Sequence, residues 1–207
     1  MKRALFVLAL LLPATQAKSP LSALLFPPEE KVAQVCQLAR RDAQKGVNRL
    51  GELTHLHFLP ERENGLERIA FFPPLAMAYQ ACGEGDLEGR KMAGFLAVTL
   101  YGAVRDPVAV REWLTWFSLR RGNREVARLS PIGKEVGPGG GWERKCEPEC
   151  LFRGFVAYLF ALEGESRKAA EEAETASVLY RAKVREKEKA LPLPEAFVAK
   201  VLAFPGR

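Results

Sequence analysis

Apolar residues recur along much of the chain at steps of three and four. Pro27-Pro28-Glu29-Glu30 sets prolines and then acids where a helix begins. Val32, Val35, Cys36, Ala39, Ala43 and Val47 follow as one stripe. A second helix is predicted over about 74–83, closing at Gly83, and a third from a cap at Asp86 to about Val104. Asp106-Pro107 starts a fourth, which carries Trp113, Leu114, Trp116 and Phe117 and stops near Gly122. A turn of helix is expected at 124–129, then a helix over about 149–163 through Phe152, Phe155, Val156, Leu159, Phe160 and Leu162. A long charged helix spans about 166–189 until Leu191-Pro192-Leu193-Pro194 breaks it, and a last short helix ends near Phe204. Residues 51–73 read as irregular, and 130–147 as a Gly/Pro-rich loop. No strand set is predicted. The expected fold is therefore all-α: antiparallel helical hairpins forming a bundle or a short stack, with residues 18–207 as a single domain.

The first residues break this pattern. Lys2 and Arg3 precede an unbroken apolar run from Ala4 to Leu12, and Pro13 ends it. Thr15 and Ala17 then place small residues where a signal peptidase needs them. Residues 1–17 are read as a signal peptide, with the mature chain starting at Lys18. The expected location is periplasmic or extracellular, and no later segment is apolar enough to anchor the mature chain in a bilayer. Removing Lys2 and Arg3 from a chain of 31 basic and 25 acidic residues lowers the formal charge from +6 to +4. That mild excess calls for no nucleic acid. The Arg/Glu/Ala/Leu-rich composition, poor in Asn and Gln, is like that of thermophilic proteins.

Export changes the meaning of the cysteines. Cys36, Cys82, Cys146 and Cys150 are even in number, and an oxidising compartment argues for two disulfides. Of the three possible pairings, spacing favours Cys36–Cys82 with the local Cys146–Cys150.

Residues 153–180 resemble a tetratricopeptide-type helical pair. Ala157, Phe160, Gly164, Ala169 and Ala176 fall at the family's spacings for small and aromatic residues, and Ala76, Tyr79 and Gly83 echo its first helix. Arg153 and Ala173 stand where aromatics are usual, and the closing proline is missing. The resemblance implies two closely packed antiparallel helices.

The sequence offers four candidate chemistries. His55 and His57 with Cys146 and Cys150 offer soft and borderline metal ligands, but at no recognised spacing, and oxidation would remove the thiols. Glu165-Ser166 matches the catalytic dipeptide of lytic transglycosylases, yet a general acid needs burial and this pair falls in a turn. Nucleophilic catalysis lacks a Gly-x-Ser-x-Gly, and Gly139-Gly140-Gly141 lacks the Lys-Ser/Thr of a phosphate loop. Trp113 and Trp116 form either a binding groove or part of the core. Trp142, after three glycines, is the better contact candidate. No cofactor is implied. The expectation is an interaction or scaffold protein of the cell envelope that binds a protein partner through a helical face. A cell-wall enzyme and a small-ligand or metal carrier are the alternatives.

Overall fold

The computed structural model describes residues 19–86, 88–136, 143–146 and 149–205. The expected signal peptide, Trp142 and residues 137–141 of the Gly/Pro-rich loop lie outside these residues, and the described parts of that loop hold two short strands, 133–136 and 143–146. The fold is mixed, with two antiparallel sheets, and not all-α. Helices α1 (Pro20–Leu25), α2 (Glu29–Gln44) and α3 (Leu50–Leu53) lead into β1 (His55–Glu63) and β2 (Leu66–Phe72). Helix α4 (Pro74–Gly83) and a 3-10 turn at Gly89–Gly94 precede β3 (Phe95–Val104). A second 3-10 turn at Pro107–Glu112 precedes β4 (Leu114–Arg121) and β5 (Arg124–Leu129). Then come β6 (Gly133–Val136), β7 (Glu143–Cys146), β8 (Cys150–Ala161), α5 (Glu165–Glu172), β9 (Thr175–Arg181), β10 (Lys189–Pro192) and α6 (Glu195–Ala203).

The first sheet runs β1-β2-β3-β8-β6, with β7 also on β8; the second runs β10-β9-β4-β5. Strands β6 and β7 lie end to end along one side of β8. Val136 pairs with Val156 and Glu143 with Arg153, so positions separated by six residues along the edge have partners separated by two on β8.

Helices α2, α4 and α6 fall where periodicity and prolines put them. The other predicted helices are corrected. Residues 95–104 form β3, because Phe-Leu-Ala-Val-Thr-Leu-Tyr-Gly-Ala-Val is covered on both faces from Leu96 to Leu100. A strand buried on both sides shows no alternation, and its continuous apolar run has the look of a buried helix. The predicted 107–122 helix is a 3-10 turn followed by β4, and 124–129 is β5. The tetratricopeptide-like segment is β8, α5 and β9, so its small residues sit in strands and not at a helix crossing. Phe152, Phe155, Val156, Leu159 and Phe160 mimic helical spacing. The core takes alternate residues, Val156, Tyr158 and Phe160. The irregular 51–73 stretch contains the β1–β2 hairpin, whose turn is Asn64-Gly65. Both turn residues have positive φ, 49° and 80°, as a two-residue hairpin turn requires.

The two sheets meet over aromatic side chains. Phe71 of β2 stacks on Phe117 of β4 with ring centres 5.4 Å apart, and Phe197 of α6 meets Phe71 edge-on at 6.1 Å. Trp113, just before β4, is wholly buried. Its indole N–H donates to the Asn64 carbonyl at 3.1 Å, and its own carbonyl accepts from the Tyr158 hydroxyl. Asn64 in turn donates to the Ala182 carbonyl at 2.9 Å. Gly102 makes this approach possible. A Cβ there would meet the Gly65 carbonyl and lie 2.7 Å from the Trp113 ring.

Cys36 bonds to Cys82, tying α2 to α4 at a point with almost no exposure, and Cys146 bonds to Cys150 across the exposed β7–β8 turn. The stripe on α2 is used only in part: Val32, Val35, Cys36 and Ala39 are buried, while Ala43 and Val47 are exposed. Asp42 is buried on that helix and accepts from the Tyr79 hydroxyl at 2.9 Å, with Arg49 Nε 3.5 Å away.

Mild reductant should open one bridge, Cys146–Cys150, in the folded protein, and Cys36–Cys82 only in denaturant; alkylation and peptide mass mapping count the thiols. Replacing Cys36 and Cys82 together by Ser is expected to cost about 4 kcal/mol, from the chain-entropy cost of the loop they close, read as a fall in the denaturant midpoint. Gly102→Ala should cost at least about 1–3 kcal/mol by the same assay, because the new methyl group displaces Trp113 or the Gly65 turn.

Candidate functional site

The register of the first sheet generates a cleft. One face of β2, β3 and β8 meets the second sheet. The other carries side chains in rows that cross the strands. Arg68, Tyr101 and Phe155 pair through β3 as one row. Ala70, Thr99 and Ala157 form the next, and Phe72, Ala97 and Leu159 the one after. Small side chains in the middle row lie between bulky rows, so the sheet itself makes the floor and the walls of a groove. Helix α4 contributes Met77 and Gln80 to its end, α3 contributes Leu50, and the 3-10 turn before β3 contributes Met92. The enclosed space is about 460 Å³, within the roughly 300–1,000 Å³ typical of ligand pockets.

Tyr101 and Phe155 also line a neighbouring, more polar hollow of about 320 Å³ with Glu67, Arg68, Glu143 and Arg153. The two rings lie 5.6 Å apart, and the Arg68 guanidinium sits 4.6 Å above the centre of the Tyr101 ring. Glu67 is 2.9 Å from Arg62, and Glu143 is 3.2 Å from Lys145. Burial pushes the Tyr101 phenol above its ordinary pKa, with Arg68 pulling against it. Leu56 and Phe58, at 43% and 65% exposure, extend the apolar face over β1.

None of the sequence-derived candidates among the described residues lines this cleft. Trp113 occupies the core position that was its alternative. Trp116 is half-buried in the second sheet, with the Arg181 guanidinium 5.5 Å from its ring centre. Trp142 lies outside the described residues. His55 and His57 share one face of β1, and His55 packs 5.2 Å from Phe197. Burial first, and the nearby His57 second, lower the His55 pKa. Cys146 and Cys150 are bonded to each other, and the described residues include no cluster of three or more His, Cys, Asp or Glu able to hold a metal. Glu165 opens α5 on the exposed surface, without the burial that a catalytic acid needs. The cleft escaped sequence reasoning because Thr99 and Ala157 are ordinary residues 58 positions apart that only strand pairing brings side by side.

No protein-family profile and no curated protein matches the chain. A solved structure that matches the chain is that of a protein of unknown function from Burkholderia pseudomallei K96243. It is 11% identical, covers 84% of this chain and 93% of its own, and has a TM-score of 0.40.

All four tyrosines have raised pKa values, with burial the first cause in each; Tyr180, beside Glu63, is pushed up to about 12. A raised phenol pKa means that the unfolded chain loses its proton first. The contribution is present in full below pH 10 and is lost as pH rises from 10 to 12. Phenolate absorbance of the native protein should therefore lag that of the denatured protein through this window. Tyr180→Phe should flatten the alkaline fall in stability.

Proposed function

We propose that this chain is an exported binding protein that holds an apolar group of an envelope component in the cleft on the outer face of its first sheet. One observation carries the reading. Tyr101, Phe155 and Leu159 remain half-exposed around a floor of small side chains, in a cleft that no described segment fills. Large apolar groups grouped on one open face are characteristic of contact sites.

The setting agrees with this. Residues 1–17 have the signal pattern, and two disulfides suit an oxidising compartment. No helix among the described residues is long and apolar enough to cross a membrane. The recognition surface differs from the helical face expected from the sequence. The apolar sides of α2 and α4 are turned toward each other and the core, and the sheet supplies the open apolar surface instead.

A neutral solvatochromic dye tests the site. The mature protein should bind it with a blue shift and increased emission. Ala157→Trp, which fills the floor, and Met92→Trp, which narrows the rim without touching a strand, should each weaken binding about tenfold or more, equivalent to about 1.4 kcal/mol. Both variants should keep the wild-type circular dichroism spectrum. Unchanged dye affinity in two folded variants would place the apolar contact elsewhere.

A further inference from the structure

We infer that the cleft takes a single-chain, carboxylate-headed amphiphile, with its acyl chain along the apolar compartment and its head at Arg68 and Arg153. The inference rests on the binding role proposed above and names the ligand class of that same site.

The two compartments differ in chemistry and share a wall. Leu50, Phe72, Met77, Met92 and Leu159 surround the larger one, which offers little polar surface beyond Gln80 and the Thr99 and Tyr101 hydroxyls. A ligand polar along its length would lose hydration there without gaining partners. An alkyl chain loses none. The smaller compartment opens past Tyr101 and Phe155, so a molecule lying along those rings reaches both.

Charge then selects the head. The hollow contains two arginines and two glutamates. Glu67 already faces Arg62 and Glu143 already faces Lys145. Arg68 and Arg153 form no ion pair with a carboxylate among the described residues, so the local excess is positive. The Arg68 guanidinium is placed by the Tyr101 ring 4.6 Å below it, and a guanidinium so placed binds a carboxylate through two parallel N–H hydrogen bonds. Arg153 lies one row along the same face, on β8, two residues from Phe155. The pull of the two arginines grows in proportion to the charge of the head, whereas the cost of stripping its hydration grows with the square, so this small positive excess favours a singly charged carboxylate over a phosphate monoester.

Titration calorimetry of the mature protein with four chains of equal length, all below their micelle concentrations, tests this. Dodecanoate should bind about tenfold or more tighter than dodecanol. Dodecylammonium should be weakest, and dodecyl phosphate weaker than dodecanoate. The double variant Arg68→Ala/Arg153→Ala should bind dodecanoate and dodecanol equally while keeping the dodecanol affinity, and Ala157→Trp should weaken both. Equal affinity for all heads, a preference for ammonium or phosphate, or an unchanged dodecanoate affinity in the double variant would overturn the inference. If the neutral dye still responds to Ala157→Trp in that case, the binding role stands and only the ligand class falls. If neither dye nor amphiphile binds the wild-type protein, both fall together.

Discussion

Trp113 joins parts of the chain that are distant in sequence. Its indole reaches the β1–β2 turn through the Asn64 carbonyl, its backbone carbonyl receives the Tyr158 hydroxyl from β8, and its ring lies over Gly102 of β3. Asn64 carries the link on to Ala182, just past β9. One buried side chain therefore sets the position of the second sheet against three strands of the first. A buried indole must satisfy its N–H, and the partner here is the backbone of a tight turn, whose geometry permits little movement. The Phe71–Phe117 stack adds area to a contact already fixed in direction.

With one face of the first sheet committed to that contact, the opposite face takes its character from the helices that cover it. Among the described residues, only one end is covered, by α3, α4 and the 3-10 turn before β3. Helix α4 is held in place from behind by the Cys36–Cys82 bridge and by the Tyr79–Asp42 hydrogen bond. Neither Cys36 nor Cys82 lines the cleft, yet the bridge fixes the helix that presents Met77 and Gln80 to it. Disulfide formation and the shape of the cleft are thus linked by one chain of contacts.

The helices that were legible carry local signals: prolines at the start, acids in the first turn and a stripe of period near four, as in α2, or Pro74 and Gly83 at the two ends of α4. The strands were lost where that signal is ambiguous. Strand β3 is apolar on both faces, and β8 places Phe152, Phe155 and Phe160 where a helix could have used them. The telling residues were in the turns. Asn64-Gly65 lies between two apolar runs, and Gly122-Asn123 separates Arg121 from its partner Arg124; both are two-residue hairpin signatures. The cleft has no local signature, since Ala97, Thr99 and Ala157 become a floor only once β3 and β8 are paired in one register. Trp113 and Trp116 take places in the core and the second sheet for a related reason. A tryptophan near the start of a strand is as suited to fixing a core as to making a contact, and sequence alone does not separate the two.

The broken edge formed by β6 and β7 makes one position of this fold permissive to change. Each half pairs with β8 independently, and the Cys146–Cys150 bridge anchors the second half by its far end. Six residues of sequence separate the halves while their partners Val156 and Arg153 are separated by two, so the length of the connection does not enter the register of any described strand. Doubling the length of such a connection costs only about 0.6 kcal/mol in loop entropy. Evolution can vary the length and content of this stretch next to the polar end of the cleft without renegotiating the sheet, and a protein engineer can graft a foreign peptide there on the same grounds.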